Sequence, residues 1–151
     1  MAVKTPPEGY HTITSYITAT DATGVVEFAQ RAFGARVHHS MKGPDGGVVH
    51  ADLVIGDSHL MVGRAMAAHP PMPAMLYLYV PDCDAAYARA ISAGATDVMK
   101  PADQFYGDRN GGVRDAFGNQ WWVSTHIEDV SHAELERRGK AFAEKMAAQR
   151  T

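Results

Sequence analysis

The chain has 151 residues, 46% hydrophobic and 21% charged, the balance of one globular domain with a sizeable core. A net charge of −3 argues against the basic surface of a nucleic-acid binder, and no apolar run approaches the roughly 18 residues of a membrane-spanning helix, so neither partner is expected. The single cysteine, Cys83, rules out an internal disulfide, and the start MAVKTPPEGY lacks the apolar stretch of a secretory signal, so the expected compartment is the cytoplasm.

The first predicted element is a strand over 11–19, where Ile13, Ser15, Ile17 and Ala19 alternate with Thr12, Thr14, Tyr16 and Thr18. Asp21 or Thr23 can cap the helix that follows. Its Val25, Phe28, Ala29, Ala32 and Phe33 recur at helical spacing, and Gly34 is placed to stop it. A strand over 36–41 leads through the glycine-rich turn 43–47 into a strand over 48–55. There Val49, Ala51, Leu53 and Ile55 share one face, and His50, Asp52 and Val54 the other. Gly56-Asp57-Ser58 turns the chain into a strand over 59–63, and 64–74, rich in Ala, Met and Pro, reads as a linker.

The pattern then repeats. A strand over 75–80 sets Leu76, Leu78 and Val80 against Met75, Tyr77 and Tyr79, and a helix over 82–93 ends at Gly94. A short strand over 96–99 precedes a hairpin with its turn at Ala116-Phe117-Gly118-Asn119. The last strand sets Trp121, Val123 and Thr125 against Trp122, Ser124 and His126. The helix-closing pairs Gly34-Ala35 and Gly94-Ala95 recur 60 residues apart. Ser131 and Glu134 form a capping-box pattern that opens a helix over 132–148. The expected organisation is a single α+β domain over 1–151: one βαβββ module over 10–63, the linker, a second βαβββ module over 75–127, and the C-terminal helix.

Two such modules, with 111–119 leading into the final strand, resemble the vicinal oxygen chelate superfamily of glyoxalase I, bleomycin-resistance proteins and extradiol dioxygenases, and within it the PhnB-like branch. The carrying segments are Tyr10-His-Thr-Ile-Thr14, Arg31-Ala-Phe-Gly-Ala35, Val49-His-Ala-Asp52 and Tyr106-Gly-Asp-Arg109 through Trp121-Trp122. The resemblance implies two modules curled as a mixed sheet around a cleft, with helices on the convex faces. The aliphatic faces (Ile13 with Ile17, Ala51 with Leu53, and Leu76, Leu78 and Val80) are expected under helices, and the mixed faces along the cleft. It also implies a homodimer with the cleft at or near the subunit interface.

Metal-dependent members of that superfamily place His or Glu at four strand positions, two per module. Carried over, these fall on Thr14, on Met61 or Gly63, on Met75 and on Trp122, none of them His, Asp or Glu. No cofactor is therefore expected. The eight histidines are read mostly as surface residues, with His38-His39 on an edge strand and His59, His69 and His132 at turns or near a helix start. Catalytic candidates are His50 and Asp52, which share a strand face as a ligand pair, an acid/base pair or a hydrogen-bonded pair, and His126. Ligand-binding candidates are Tyr16, Met75, Tyr77, Tyr79, Tyr106 and Trp122, with Phe105 as an alternative to Tyr106, converging as an aromatic wall. Arg109 and Arg114 are candidates for pairing with an anionic group, or else are neutralised by Asp108 and Asp115. Cys83 is read as an inert thiol. The expected function is metal-independent binding of an aromatic or amphipathic compound, as in bleomycin-resistance proteins. The alternatives are a lyase, isomerase or dioxygenase using divalent Zn, Ni, Mn or Fe, and a metal-free acid/base enzyme.

Overall fold

The structure, a computed structural model, describes residues 3–150. In chain order it contains β1 (Ser15–Ala19), α1 (Ala22–Phe33), β2 (Arg36–Lys42), β3 (Val48–Ile55), β4 (Ser58–Arg64), β5 (Met75–Tyr79), α2 (Cys83–Ser92), β6 (Thr96–Asp103), β7 (Asp108–Arg114), β8 (Gln120–His126) and α3 (His132–Ala148). The strands form two four-stranded sheets, ordered β1-β4-β3-β2 and β5-β8-β7-β6. This is the α+β architecture of two βαβββ modules plus a terminal helix.

Both modules start their helix in the same way. The Asp21 carboxylate accepts from the Gly24 amide at 2.8 Å, and the Asp82 carboxylate from the Ala85 amide at 3.0 Å, each satisfying one of the orphan donors of a first turn. Gly34 at φ 66° and Gly94 at φ 105° end the two helices in the left-handed backbone that favours glycine. Ser131 caps α3 through the Glu134 amide at 3.3 Å, but the Glu134 carboxylate turns to Arg137 and Arg138 instead of completing the capping box.

The core is shared. Ile17, Ala51, Leu53, Leu60 and Val62 of the first sheet pack with Val25, Phe28 and Ala29 of α1, and the same cluster takes in Val113 and Trp121 of the second. The joint is tight at the start of α1, where a Cβ at Gly24 would run into Phe117 of the β7–β8 turn.

Two expectations about strand bounds change. β1 begins at Ser15, so Ile13 is 87% exposed instead of lying under α1. β6 runs on to Asp103 despite Pro101, which the edge position of that strand tolerates because an edge needs no outward donor. α3 buries no residue; it leans on the body through Phe142 against Phe105 and through Arg138 bonded to Glu128.

Candidate functional site

The helix-free face of the first sheet is set by the β3–β4 turn. Pairing Ile55 with Ser58 places Asp52 opposite Met61 and Val54 opposite His59, so Asp52 and His59 become diagonal neighbours. His59 Nδ1 lies 2.9 Å from Asp52 Oδ1, and the Tyr10 hydroxyl donates to Oδ2. Tyr10 stacks on the His59 ring at 3.9 Å, and His38 meets that ring edge-on at 5.3 Å. Burial alone would raise the Asp52 carboxyl, but the bonds from Tyr10 and His59 outweigh it and hold the group below the usual carboxylate range. The same bond to Asp52 pushes the Tyr10 phenol up.

His50 and Asp52 are therefore not partners. His50 Nδ1 lies 3.3 Å from the Tyr16 hydroxyl, and Asp52 belongs to His59 and Tyr10. His59, expected at the surface, is half-buried within β4. Tyr16 lies across Gly63, where a Cβ would meet its hydroxyl.

The second sheet repeats the chemistry with different residues. Tyr77 stands opposite Trp122 as Tyr16 stands opposite Met61. The Trp122 indole lies over Gly112, where a Cβ would come within 2.9 Å of the ring. Asn110 Nδ2 donates to the Tyr77 hydroxyl at 2.8 Å and to the Tyr106 hydroxyl at 2.5 Å, and the Tyr77 hydroxyl donates to Ser124 Oγ at 3.0 Å. Among the described residues, Asn110 Oδ1 is buried without a partner. Tyr79 donates to Asp108 Oδ2 at 3.0 Å.

His126 sits between two carboxylates, Nδ1 at 2.7 Å from Asp108 and Nε2 at 2.8 Å from Asp129. Both ring nitrogens then donate, which is the arrangement of an imidazolium. These bonds raise its pKa above the ordinary 6.5 of histidine. With no free lone pair, His126 is a poor general base. The basic candidates also separate from the cleft. Arg109 is held by Asp84 at 2.6 Å and Asp103 at 2.9 Å, and not by the Asp108 and Asp115 expected from sequence; Arg114 is exposed at the end of β7. Burial pushes the Cys83 thiol up, in keeping with an inert side chain.

Between the free edge of β5 and the β3–β4 turn lies a cavity of about 840 Å³, within the range of small-molecule pockets. Leu76, Leu78, Tyr77 and Tyr79 line it from β5, His59 and Leu60 from β4, and Phe33 and Trp121 line it as well. Of the sequence candidates, Met75, Tyr77 and Tyr79 line this cavity; Tyr16, Tyr106, Arg109, Arg114 and Trp122 do not, so one chain does not gather them all into a single cleft. The backbone contributes too. Gln120 N donates to Ala74 O and Val80 N to Ser124 O, so the alternation of a parallel ladder turns the N–H groups of Met75, Tyr77 and Tyr79 away from β8, toward the open edge.

The residues at the metal positions do not fit a divalent ion. Thr14 precedes β1, Met61 and Met75 offer only thioethers, Gly63 offers no side chain and Trp122 only a donor. Among the described residues no cluster of three or more His, Cys, Asp or Glu side chains is placed to hold a metal.

Sequence reasoning missed His59 and Tyr10. The signal for His59 was present in the Gly56-Asp57 turn, which fixes the hairpin register that brings it diagonal to Asp52. Tyr10 carries no local signal, because it reaches Asp52 from a segment outside any strand.

Comparison with known proteins agrees with this geometry. The model of the glyoxalase/bleomycin resistance protein/dioxygenase superfamily matches residues 10–123. An uncharacterized protein of Mycobacterium bovis is 31% identical over 147 residues, covering 90% of this chain and 94% of its own. The crystal structure of TioX from Micromonospora sp. ML1 is similar with a TM-score of 0.66 at 28% identity, over 78% of this chain and 99% of that one. A family enzyme from Burkholderia phytofirmans shares the fold alone, with a TM-score of 0.61 at 18% identity over 76% of this chain and 97% of its own. A family match over most of the chain, a full-length relative and the two-module fold together place this chain in the glyoxalase/bleomycin resistance protein/dioxygenase superfamily.

Proposed function

We propose that the chain is a metal-independent small-molecule-binding protein of this superfamily, of the PhnB-like branch, that takes an aromatic or amphipathic compound. The observation that carries the reading is the cavity of about 840 Å³ walled by Leu76, Leu78, Tyr77, Tyr79 and Trp121. Aromatic and aliphatic walls with a few placed polar groups are the usual make-up of such sites. Asn110 Oδ1, buried without a partner beneath Tyr77, adds an unused acceptor near that wall.

The protein acts as a homodimer. Tyr16, Met41, Met75 and Tyr79 stand exposed on the helix-free faces of the two sheets, and a second copy covers them and completes the cleft around Trp122. The buried single thiol fits a reducing cytoplasm. Metal-free acid/base chemistry is the second reading, favoured by the Asp52–His59 contact at 2.9 Å.

Tryptophan fluorescence across a panel of small aromatic compounds tests binding. Saturable quenching is expected in the wild type through Trp121, which lines the cavity, and is expected to remain in Trp122→Phe. A flat response in both proteins across the panel would remove the binding reading.

A further inference from the structure

We propose that the helix-free face of the first sheet carries a recognition site for an aromatic hydroxyl, built by Asp52 and His59, and that the chain's own Tyr10 occupies it as the plug of an N-terminal strap. The site is separate from the cavity beside β5. Of this cluster only His59 lines that cavity; Tyr10, His38 and Asp52 do not.

The site holds a phenol already. The Tyr10 ring stacks on the His59 imidazole at 3.9 Å with 21° between the planes, and its hydroxyl donates to Asp52 Oδ2. His59 Nδ1 lies 2.9 Å from Asp52 Oδ1, which fixes the imidazole plane against which the ring lies. The pair thus meets both ends of a phenol, with a flat face for the ring and a charged acceptor for the O–H.

The strap is lightly held. Residues 3–14 form no strand or helix, and of them only Tyr10 and Thr14 are half-buried while the rest are exposed. Tyr10 N donates to Pro7 O at 3.1 Å, so the turn that presents the ring is formed within the strap itself. Gly9, at φ 84°, lets this turn come close, since a Cβ there would approach His59 Nε2 to 3.3 Å. A segment with so few buried contacts opens locally at low cost.

Asp52 favours exchange of one phenol for another over simple opening. It is 3% exposed, and Tyr10 supplies the donor at Oδ2. When the strap lifts, that oxygen loses a donor in a buried setting, and an incoming hydroxyl relieves the cost. An apolar ring satisfies only His59. Because Tyr10 is tethered, a free ligand competes against its high local concentration, and the strap screens out weak binders.

The probes are para-cresol, which is the tyrosine side chain as a free molecule, and toluene, which lacks the hydroxyl. Titrations are followed by the amide NMR shifts of His38 and Asp52, neither of which lines the cavity beside β5. Tyr10→Ala is expected to bind para-cresol saturably and about tenfold more tightly than wild type, because the tethered competitor is gone. In that variant toluene is expected to bind about tenfold more weakly than para-cresol, for want of the bond to a charged acceptor. Tyr10→Phe keeps the stacked ring and drops only the hydroxyl, so it serves where Tyr10→Ala fails to fold, and it too is expected to bind para-cresol more tightly than wild type. Equal affinity for para-cresol in wild type and variants, no saturable shift in any of them, or toluene bound as tightly as para-cresol would each overturn the proposal, and none of these results bears on the cavity beside β5.

Discussion

Replacing Trp121 with alanine is expected to destabilise the fold by ~3–5 kcal/mol, the range for removing a large buried aromatic side chain. Trp121 is fully buried, with its ring centroid 4.9 Å from Phe33 and 5.9 Å from Phe28. Those phenylalanines belong to α1 in the first module and Trp121 to β8 in the second, so the deletion opens a void at the joint between them. It also removes the donor that Trp121 Nε1 offers to Asp115 Oδ2 at 2.9 Å. Against a total stability of ~5–15 kcal/mol, such a loss brings the chain close to unfolding. Denaturant titration measures it, with Trp122→Ala as the internal comparison. Trp122 lies on the open face over Gly112, and a much smaller cost is expected there. A loss at Trp121 of under ~1 kcal/mol would mean that the modules are not held together through this ring.

The second large effect is expected at Asp115, in the turn between β7 and β8. Its buried carboxylate accepts from the amides of Phe117 and Asn119 at 2.9 Å each, from Asn119 Nδ2 at 2.8 Å and from Trp121 Nε1 at 2.9 Å. Asp115→Ala strands these donors, three of them on the fully buried Asn119 and Trp121, and an unsatisfied buried donor costs ~1–3 kcal/mol. The expected loss is ~3 kcal/mol or more. The damage should reach function as well, because Asn119 Oδ1 accepts from Ala74 N at 3.0 Å and so fixes the residue before β5, the strand that walls the cavity. Thermal melting with aromatic-ligand binding on the same samples checks both parts. A variant as stable as wild type would show that water replaces the carboxylate at no cost.

The fold was legible wherever one short-range rule governs a segment. Asp21 and Asp82 start helices and Gly34 and Gly94 end them, and the glycine signal, recurring 60 residues apart, reveals the repeat. Period-two alternation assigned the faces of Trp121 and Trp122 correctly. It failed at Ile13, because alternation says nothing about where a strand begins, and the strand expected over 96–99 runs on to Asp103 through Pro101.

The site was legible in part. Met75, Tyr77 and Tyr79 line the cavity, but so do Leu76, Leu78 and Val80, which parity placed under the helices, because the cavity runs along the edge of β5. Which groups pair across strands was not legible from parity. His50 and Asp52 share a face yet take different partners, because the hairpin register offers His59 to Asp52 and the parallel pairing of β1 with β4 brings Tyr16 to His50. His126 looked like a free imidazole until Asp108 and Asp129 closed on both its nitrogens. Arg109 was expected to meet either a ligand anion or Asp108 and Asp115, and Asp84 of α2 and Asp103 of β6 hold it instead. In each case the deciding neighbour lies across a strand pair, on another element or in a loop.

The proposed function rests on the cavity beside β5 and on the aromatic and amide groups of the second sheet. Thr14, Met61, Met75 and Trp122 offer a divalent cation neither carboxylate nor imidazole. The most direct measurement is metal analysis of the purified protein together with a calorimetric titration of zinc and nickel. The expected result is no stoichiometric metal and no saturable uptake, with aromatic-ligand binding unchanged by chelator. One tightly held metal per chain, lost in His50→Ala or Asp52→Ala and required for ligand binding, would contradict the account.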